Sequence, residues 1–344
     1  MTEQASSKDD ELGKSRGKRI LHRRRSAESF ALNTACRLAV RNAVRVWALL
    51  PDVAWPLGAI DGFVGLIPRR VTASVRAIQL PNCPAEFVRA SGASTRTAIL
   101  YLHGGAFLTC GLNTHRSMAA RLSRAADALV LNVGYRMLPA CGLADAVEDA
   151  LAGLWWLRRC GYDSRRIVIA GDSAGGFLAL AATLRSIAEG APPVAGVAVV
   201  SPLIDLDPAR KLSHRNISRC SMFTAAAFSA FNRHVMRSQQ RAGRREVLDP
   251  AVADLSEMPP VAIHVSTDES LLADSELLAE RLTDADRRCD LHLWRGQVHD
   301  FPLAADILPE GRRAIGYVGD FVKEVTGTHR RQRHALSEDT EQPA

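Results

Sequence analysis

The stretch Ile167-Val168-Ile169-Ala170-Gly171-Asp172-Ser173-Ala174-Gly175-Gly176 decides the reading of this chain. Four aliphatic residues in a row read as a strand buried on both faces. Small residues then crowd a single serine, and a helical pattern opens at Ala174. This is Gly-x-Ser-x-Gly in its required context of strand, sharp turn and helix. The turn is so tight that only small residues fit at 171 and 175. It forces Ser173 into a strained conformation with its hydroxyl above the sheet. The N–H groups that follow lie at a helix N-terminus, where the dipole favours negative charge. A merely structural glycine turn would not need a serine between a strand and a helix.

Upstream, His103-Gly104-Gly105-Ala106-Phe107 follows the apolar run Ala98–Leu102 directly. Two glycines let the backbone turn sharply and aim N–H groups into a cavity. Acyl transfer needs such donors where a carbonyl oxygen becomes negative, and one donor contributes ~3 kcal/mol to the transition state. His103 precedes the turn and reads as a structural loop residue. Ser173 needs a base elsewhere, and in this architecture the chain order is Ser, then acid, then His. His299, in Gly296-Gln297-Val298-His299-Asp300-Phe301, stands in a loop after the last apolar run. His292 lies inside that run, and His329 and His334 lie beyond it. The acid should follow the run Val261–Val265. Asp268 and Glu269 are adjacent there, and Asp274 stands slightly further on. Both nearer groups are carboxylates of ordinary pKa near 4, so local chemistry does not choose between them.

These motifs sit in a repeating frame. Short apolar runs occur at 98–102, 128–133, 167–170, 197–200, 261–265 and 290–294. Helical patterns at 115–126, 143–160, 174–189, 271–285 and 310–325 separate them. That is the βαβ rhythm of a doubly wound, mostly parallel sheet. Residues 71–78 and 85–90 read as an antiparallel pair opening it. The rhythm divides the chain into a basic tail (1–25), a helical cap segment (26–70), a core (71–202), a cap insertion (203–255), a second core segment (256–326) and a polar tail (327–344). The insertion is far longer than an ordinary crossover. Both tails are expected to be disordered, and the two cap segments are expected to pack together as a lid. Phe107, and Phe228 and Phe231 in the insertion's helical pattern, are candidate contacts for an acyl chain.

Composition excludes other classes. Hydrophobic residues at 47% and charged residues at 24% are those of a globular chain, not a disordered one. The net charge is +7, and residues 1–30 hold eight Lys/Arg against five Asp/Glu, with Arg23-Arg24-Arg25 the densest run. No nucleic-acid motif accompanies it, so a solvated tail is the expectation. Seven cysteines without a CxxC pair argue against a disulfide framework or a zinc site. Residues 1–30 hold no apolar h-region, so no signal peptide and a cytoplasmic location are expected. The apolar stretch 46–68 is broken by Pro51, Asp52, Pro56 and Asp61, too often for a membrane span. Packing over a pocket and peripheral membrane contact are the roles open to it. The sequence sets no oligomeric state.

Taken together, the His-Gly-Gly segment, the elbow and the late histidine resemble the bacterial hormone-sensitive-lipase-type esterases. Gly134-Tyr135-Arg136-Met137-Leu138-Pro139 is similar to that family's Gly-Tyr-Arg-Leu-Ala-Pro segment, and 145–149 to its next helix start. The likeness spans roughly 75–325. It implies an α/β-hydrolase fold with a helical cap, Ser173 as nucleophile, His299 as base, and an oxyanion hole from Gly104, Gly105 and Ala174. The family's acid-x-Leu register falls on Glu269-Ser270-Leu271, which favours Glu269 and leaves Asp268 as its rival. Two positions depart from the pattern: Ala106 replaces a third glycine, and Ala140 an acid. The implied activity is that of a serine carboxylesterase or lipase on a small-molecule or lipid ester, without metal or cofactor. A hydrolase of amides, lactones or acetylated small molecules, and a non-catalytic binding protein, are the alternatives.

Overall fold

The computed structural model describes residues 17–66, 72–241 and 247–328. In chain order the elements are β1 (Arg19–His22), α1 (Ala27–Leu38), α2 (Val40–Leu49), α3 (Ala59–Gly65), β2 (Ala73–Gln79), β3 (Pro84–Ala90), β4 (Ala98–Leu102), α4 (Leu112–Ala126), β5 (Leu129–Val133) and α5 (Leu143–Arg159). There follow β6 (Ile167–Asp172), α6 (Ala174–Ala188), β7 (Gly196–Val200), the short α7 (Ala209–Ser213) and α8 (Asn216–Arg219), α9 (Ala225–Arg241), β8 (Val261–Ser266), α10 (Leu272–Asp284), β9 (Cys289–Trp294) and α11 (Pro309–Val325).

One sheet runs β1-β9-β8-β7-β6-β4-β5-β3-β2. Neighbours from β1 to β5 are parallel, and β3 and β2 close the far edge antiparallel. Every residue of β4, β6, β7, β8 and β9 is buried, as continuous apolar strands between two helical layers must be. The edge strand β2 is largely exposed and carries Arg76, which makes it a poor template for further pairing. The parallel strands all end on one side of the sheet, and the loops there carry Gly104, Ser173, Glu269 and His299.

The tail expected over 1–25 needs correction. Arg19–His22 adds a parallel strand to β9, with Ile20 opposite His292 and Leu21 opposite Leu293. Lys18 anchors it, its N–H 3.1 Å from Asp290 Oδ1 and its carbonyl accepting from Leu291 N at 2.7 Å. The His22 ring stacks on Trp294 at 3.7 Å. Two apolar residues among arginines carry no periodic signal; pairing with β9 satisfies their backbone. Residues 1–16 and 329–344 of the two tails lie outside the described residues, as do 67–71 and 242–246.

Two segments cover the strand ends. Helix α2 packs on α9 through Ala48, Ala227 and Ala230, flanked by Val44 and Trp47. His234 on α9 donates from Nε2 to Pro51 O at 2.9 Å. Arg41 donates to the carbonyls of Cys220 and Phe223, the latter at 2.7 Å. Helix α3 docks elsewhere. Its Asp61 accepts from Thr114 N at 2.8 Å and Asn113 Nδ2 at 3.0 Å, so it caps the N-terminus of α4 from outside. The start of the insertion is held by a buried ion pair: Lys211 Nζ lies 3.1 Å from Asp274 Oδ1, and Asp274 also accepts from Ile204 N at 2.8 Å. Asp274, third of the candidate acids, is thereby committed to structure. Among the described residues no helix is long and apolar enough to cross a membrane.

Candidate active site

Steric necessity builds the elbow. A Cβ at Gly171 would lie 2.4 Å from Gly175 O, and one at Gly175 only 2.0 Å from Leu102 O. The chain therefore turns between them with Ser173 at φ 50°, ψ −118°, a conformation a side chain adopts only when its surroundings hold it there. They do: Ser173 N donates to Val200 O at 2.9 Å, and Ser173 O accepts from Leu203 N at 3.0 Å.

His299 meets this serine from the loop after β9. Its Nε2 lies 3.0 Å from Ser173 Oγ, and its Nδ1 lies 2.5 Å from Glu269 Oε2. The other oxygen of Glu269 accepts from Ser201 Oγ at 2.7 Å and from Ser266 N at 2.8 Å. The cap helps hold that turn, since Asn216 Nδ2 donates to Thr267 O at 2.7 Å and to Glu269 O at 3.0 Å. Asp268 points elsewhere, and among the described residues its carboxylate accepts from the neighbouring Thr267 hydroxyl alone, at 3.2 Å. Burial alone would lower the pKa of His299, but the carboxylates of Asp300 and Glu269 reverse this and hold it well above the ordinary histidine value.

The structure corrects one donor. The N–H of Gly104 points not into the site but to Asp172 Oδ2, at 3.0 Å. A Cβ at 104 would lie 2.3 Å from that oxygen, so Gly104 is there to let the two loops touch. Asp172 also accepts from Tyr101 Oη at 2.6 Å and faces His115 Nε2 at 3.1 Å. Burial would raise its pKa, yet His115 and the Tyr101 hydroxyl keep it below the ordinary carboxylate value. Sequence reasoning missed Tyr101, His115 and this role of Asp172; the signal was an acid at the buried end of an apolar strand. Gly105 carries φ 117°, and a Cβ there would lie 2.1 Å from Thr109 O. Ala106 and Phe107 continue the loop in left-handed conformations. His103 is a structural residue. Burial lowers its pKa to about 4, its Nδ1 donates to Gly104 O at 2.7 Å, and its ring stacks on Tyr135 at 4.2 Å.

The three phenylalanines are buried in the main core cluster. Phe107 stacks on Phe231 at 6.2 Å and meets Phe177 edge-on at 6.0 Å. Phe228 approaches the site through Phe223, whose ring lies 5.7 Å from Phe228 and 4.8 Å from His299, edge-on. Phe223 carries no helical periodicity and was not singled out in the sequence. Ser173 and His299 are only 7% and 5% exposed. A cavity of about 260 Å³ at the cap seam, lined by Pro51, Val53, His234 and Arg237 among others, includes no residue of the Ser173–His299–Glu269 group. Arg136 explains its segment: its guanidinium binds Asp149 at 2.9 Å and Asp145 at 3.2 Å, tying the loop after β5 to α5.

A serine on a strained elbow, an imidazole 3.0 Å from it and a carboxylate behind the imidazole define the hydrolase class that places its chemistry above a parallel sheet. The family model of the alpha/beta hydrolase fold matches residues 99–303. The chain is 42% identical over 298 residues to Esterase LipU of Mycobacterium tuberculosis, covering 84% of this chain and 100% of that one. It is 38% identical over 305 residues to Carboxylesterase/phospholipase LipF of the same organism, covering 85% and 80%. Among solved structures, an esterase/lipase from an uncultured bacterium superposes with TM-score 0.77 at 29% identity, covering 88% of this chain and 100% of that one. An esterase of the bacterial hormone-sensitive lipase family gives 0.75 at 28%, covering 88% and 99%. The chain belongs to the α/β-hydrolase family, among its bacterial hormone-sensitive-lipase-type esterases.

Proposed function

We propose that the chain is a serine carboxylesterase that works through an acyl-enzyme on Ser173. The observation that carries the reading is the continuous hydrogen-bonded line from Ser173 Oγ through His299 to Glu269, at 3.0 and 2.5 Å. Ser173 Oγ attacks the ester carbonyl while His299 Nε2 takes its proton. Glu269 accepts from Nδ1–H, fixes that tautomer and stabilises the imidazolium. His299 returns the proton to the leaving alcohol. It then activates a water that releases the acid. The N–H groups of Gly105 and Ala174 receive the oxyanion, Ala174 with the favourable dipole of α6 behind it. Gly104 has no place in that hole, because its N–H is spent on Asp172.

The esterase names of the relatives support ester substrates for this chain. A small-molecule or lipid ester is the expected class, and the apolar exposed residues of the N-terminal cap, Leu49, Leu50, Phe63 and Leu66, suit contact with a lipid surface. The test is labelling by a fluorophosphonate probe beside turnover of p-nitrophenyl esters of graded chain length. Ser173→Ala should neither label nor turn over. Label on the variant, or turnover above a few per cent of wild type, would send the nucleophile elsewhere.

A further inference from the structure

Asp300 enters none of the steps above, yet it touches the atom on which they turn. Its Oδ2 lies 3.0 Å from His299 Nε2, the nitrogen that Ser173 Oγ also meets at 3.0 Å. An imidazole nitrogen holds either a lone pair or a proton. With a lone pair, Nε2 accepts from the Ser173 hydroxyl, and the ring is ready to act as a base. With a proton, Nε2 donates to the Asp300 carboxylate, and the base is occupied. The two oxygens therefore compete for one nitrogen.

The placement is built in. Asp300 sits in the left-handed region at φ 51°, as Ser173 does at 50° and Ser201 at 45°. Its N–H donates to Ser201 Oγ at 3.2 Å, and that hydroxyl donates to Glu269 Oε1. The same serine thus fixes the residue behind His299 and the residue in front of it. Asp300 is 9% exposed, and its Oδ1 is buried with no hydrogen-bond partner among the described residues. A buried carboxylate half unsatisfied is expensive unless it shares a proton.

The surrounding charges favour such sharing. Glu269 faces the pair from the turn after β8, and Asp172 from the end of β6. His115 on α4 and Tyr101 on β4 stand behind Asp172, and Cys110 stands in the loop before α4. The cap contributes an apolar group, the Phe223 ring against His299. Three buried carboxylates meet three imidazoles there, those of His299, His115 and His103. Burial pushes the Asp300 carboxyl up to about 7, with Asp172 and Glu269 adding to it and His299 opposing.

We propose that Asp300 is a positioning residue that holds a proton jointly with His299 Nε2, so that the base is free for Ser173 only after this shared proton has left to solvent. The proposal rests on His299 acting as base to Ser173. At low pH the pair keeps the proton and Nε2 is blocked. As pH rises the proton leaves, and Nε2 can accept from Ser173. Without the carboxylate the imidazolium loses a stabilising neighbour, so the proton leaves at lower pH.

The test is the ascending limb of kcat/KM against pH for the full chain. Asp300→Asn keeps the shape, and Asp300→Gly suits the left-handed backbone if the amide destabilises the loop. Both should move the midpoint to lower pH by about 1–3 units, the shift an adjacent opposite charge produces. A role in loop stability alone would lower the melting temperature and the plateau and leave the midpoint in place. That result, or an upward move, overturns the proposal. Nitrogen-15 NMR of the wild-type protein needs no variant: His299 should still carry its Nε2 proton at pH about 6.5, where half of ordinary histidines have lost theirs. A ring bare at Nε2 there overturns it as well. His299→Ala separates this idea from the one beneath it. If that variant stays active, the base assignment fails. If it is dead while the Asp300 midpoints stand still, Asp300 alone is misassigned.

Discussion

At Gly175 a neighbouring carbonyl leaves no room for a single carbon, whereas α2 meets α9 through alanines and an imidazole stacked on an indole. The two places are held by different means. The elbow is over-determined by backbone: Val200 O on β7, Leu203 N just beyond it and Leu102 O on β4 fix it from both sides of β6. The cap is held by side chains reaching between segments far apart in the chain, Arg41 to Cys220 and Phe223, Lys211 to Asp274, Asn216 to Thr267. A strand-end turn therefore tolerates almost no change in its own residues. A cap seam spreads its hold over many contacts, so the loss of any one should cost little.

The sharpest way to break this comparison is at the acid, where the turn after β8 has one carboxylate bonded to His299 and its neighbour's carboxylate bonded, among the described residues, to the Thr267 hydroxyl alone. Glu269→Gln keeps the shape but loses the charge that holds the tautomer. Its kcat should fall by up to about 10⁴-fold, the loss known for the equivalent change in another serine hydrolase. Asp268→Asn should keep nearly all activity. Steady-state kinetics on one short-chain ester decide it, and equal losses in both variants would mean that the turn, not the carboxylate, was being read.

Gly175→Ala tests the steric half. The new carbon must displace the carbonyl of Leu102, which belongs to β4 and cannot shift without its neighbours. A stability loss of about 3 kcal/mol is expected from forcing atoms into a packed site. Denaturant melts should show it in the midpoint with the slope unchanged. A variant as stable as wild type would mean that the elbow has more slack than its contacts imply.

This contrast also explains what could be read from the sequence. Buried strands such as Ala98–Leu102 announce themselves as unbroken apolar runs, and the glycines at 171 and 175 have one steric explanation. Ser173 and His299 are read from strand ends and the chain order of the fold, whereas Glu269 stands level with Asp268 until the acid-x-Leu register of the family the chain resembles favours it. What stayed hidden depends on pairings far apart in the chain. The donor at Gly104 looked free because Asp172, which takes it, lies on another strand. Arg19–His22 looked like a tail because its partner strand is β9. Phe223 has no periodicity of its own and gains meaning only from the imidazole it covers.

That ring gives the next prediction. Phe223→Ala opens space beside His299 without touching a hydrogen bond of the Ser173–His299–Glu269 line. Preference should move toward longer acyl chains over acetyl by about tenfold in kcat/KM, within the range that added apolar contacts can discriminate. Phe231→Ala, buried between Phe107 and the core, should instead lose about 3–5 kcal/mol of stability. Its activity on all chain lengths should fall together. A chain-length shift in Phe231→Ala and none in Phe223→Ala would exchange the two roles.

The smallest effect belongs to the seam itself. Arg41 reaches from α2 to two carbonyls just before α9, and its side chain is half-buried there. Arg41→Ala removes both bonds, and the net loss should be about 1 kcal/mol. In a chain of this size that lowers the melting temperature by only a few degrees. Turnover of an acetyl ester should be nearly unchanged, because nothing in the elbow or the Glu269 turn rests on Arg41. The carbonyl it holds at Phe223 belongs to the ring over His299, so the variant also tests how far the seam reaches into the site. If Arg41→Ala shifted chain-length preference as Phe223→Ala is expected to, the arginine would be holding the ring in place. The seam would then act on the substrate and not only on the fold.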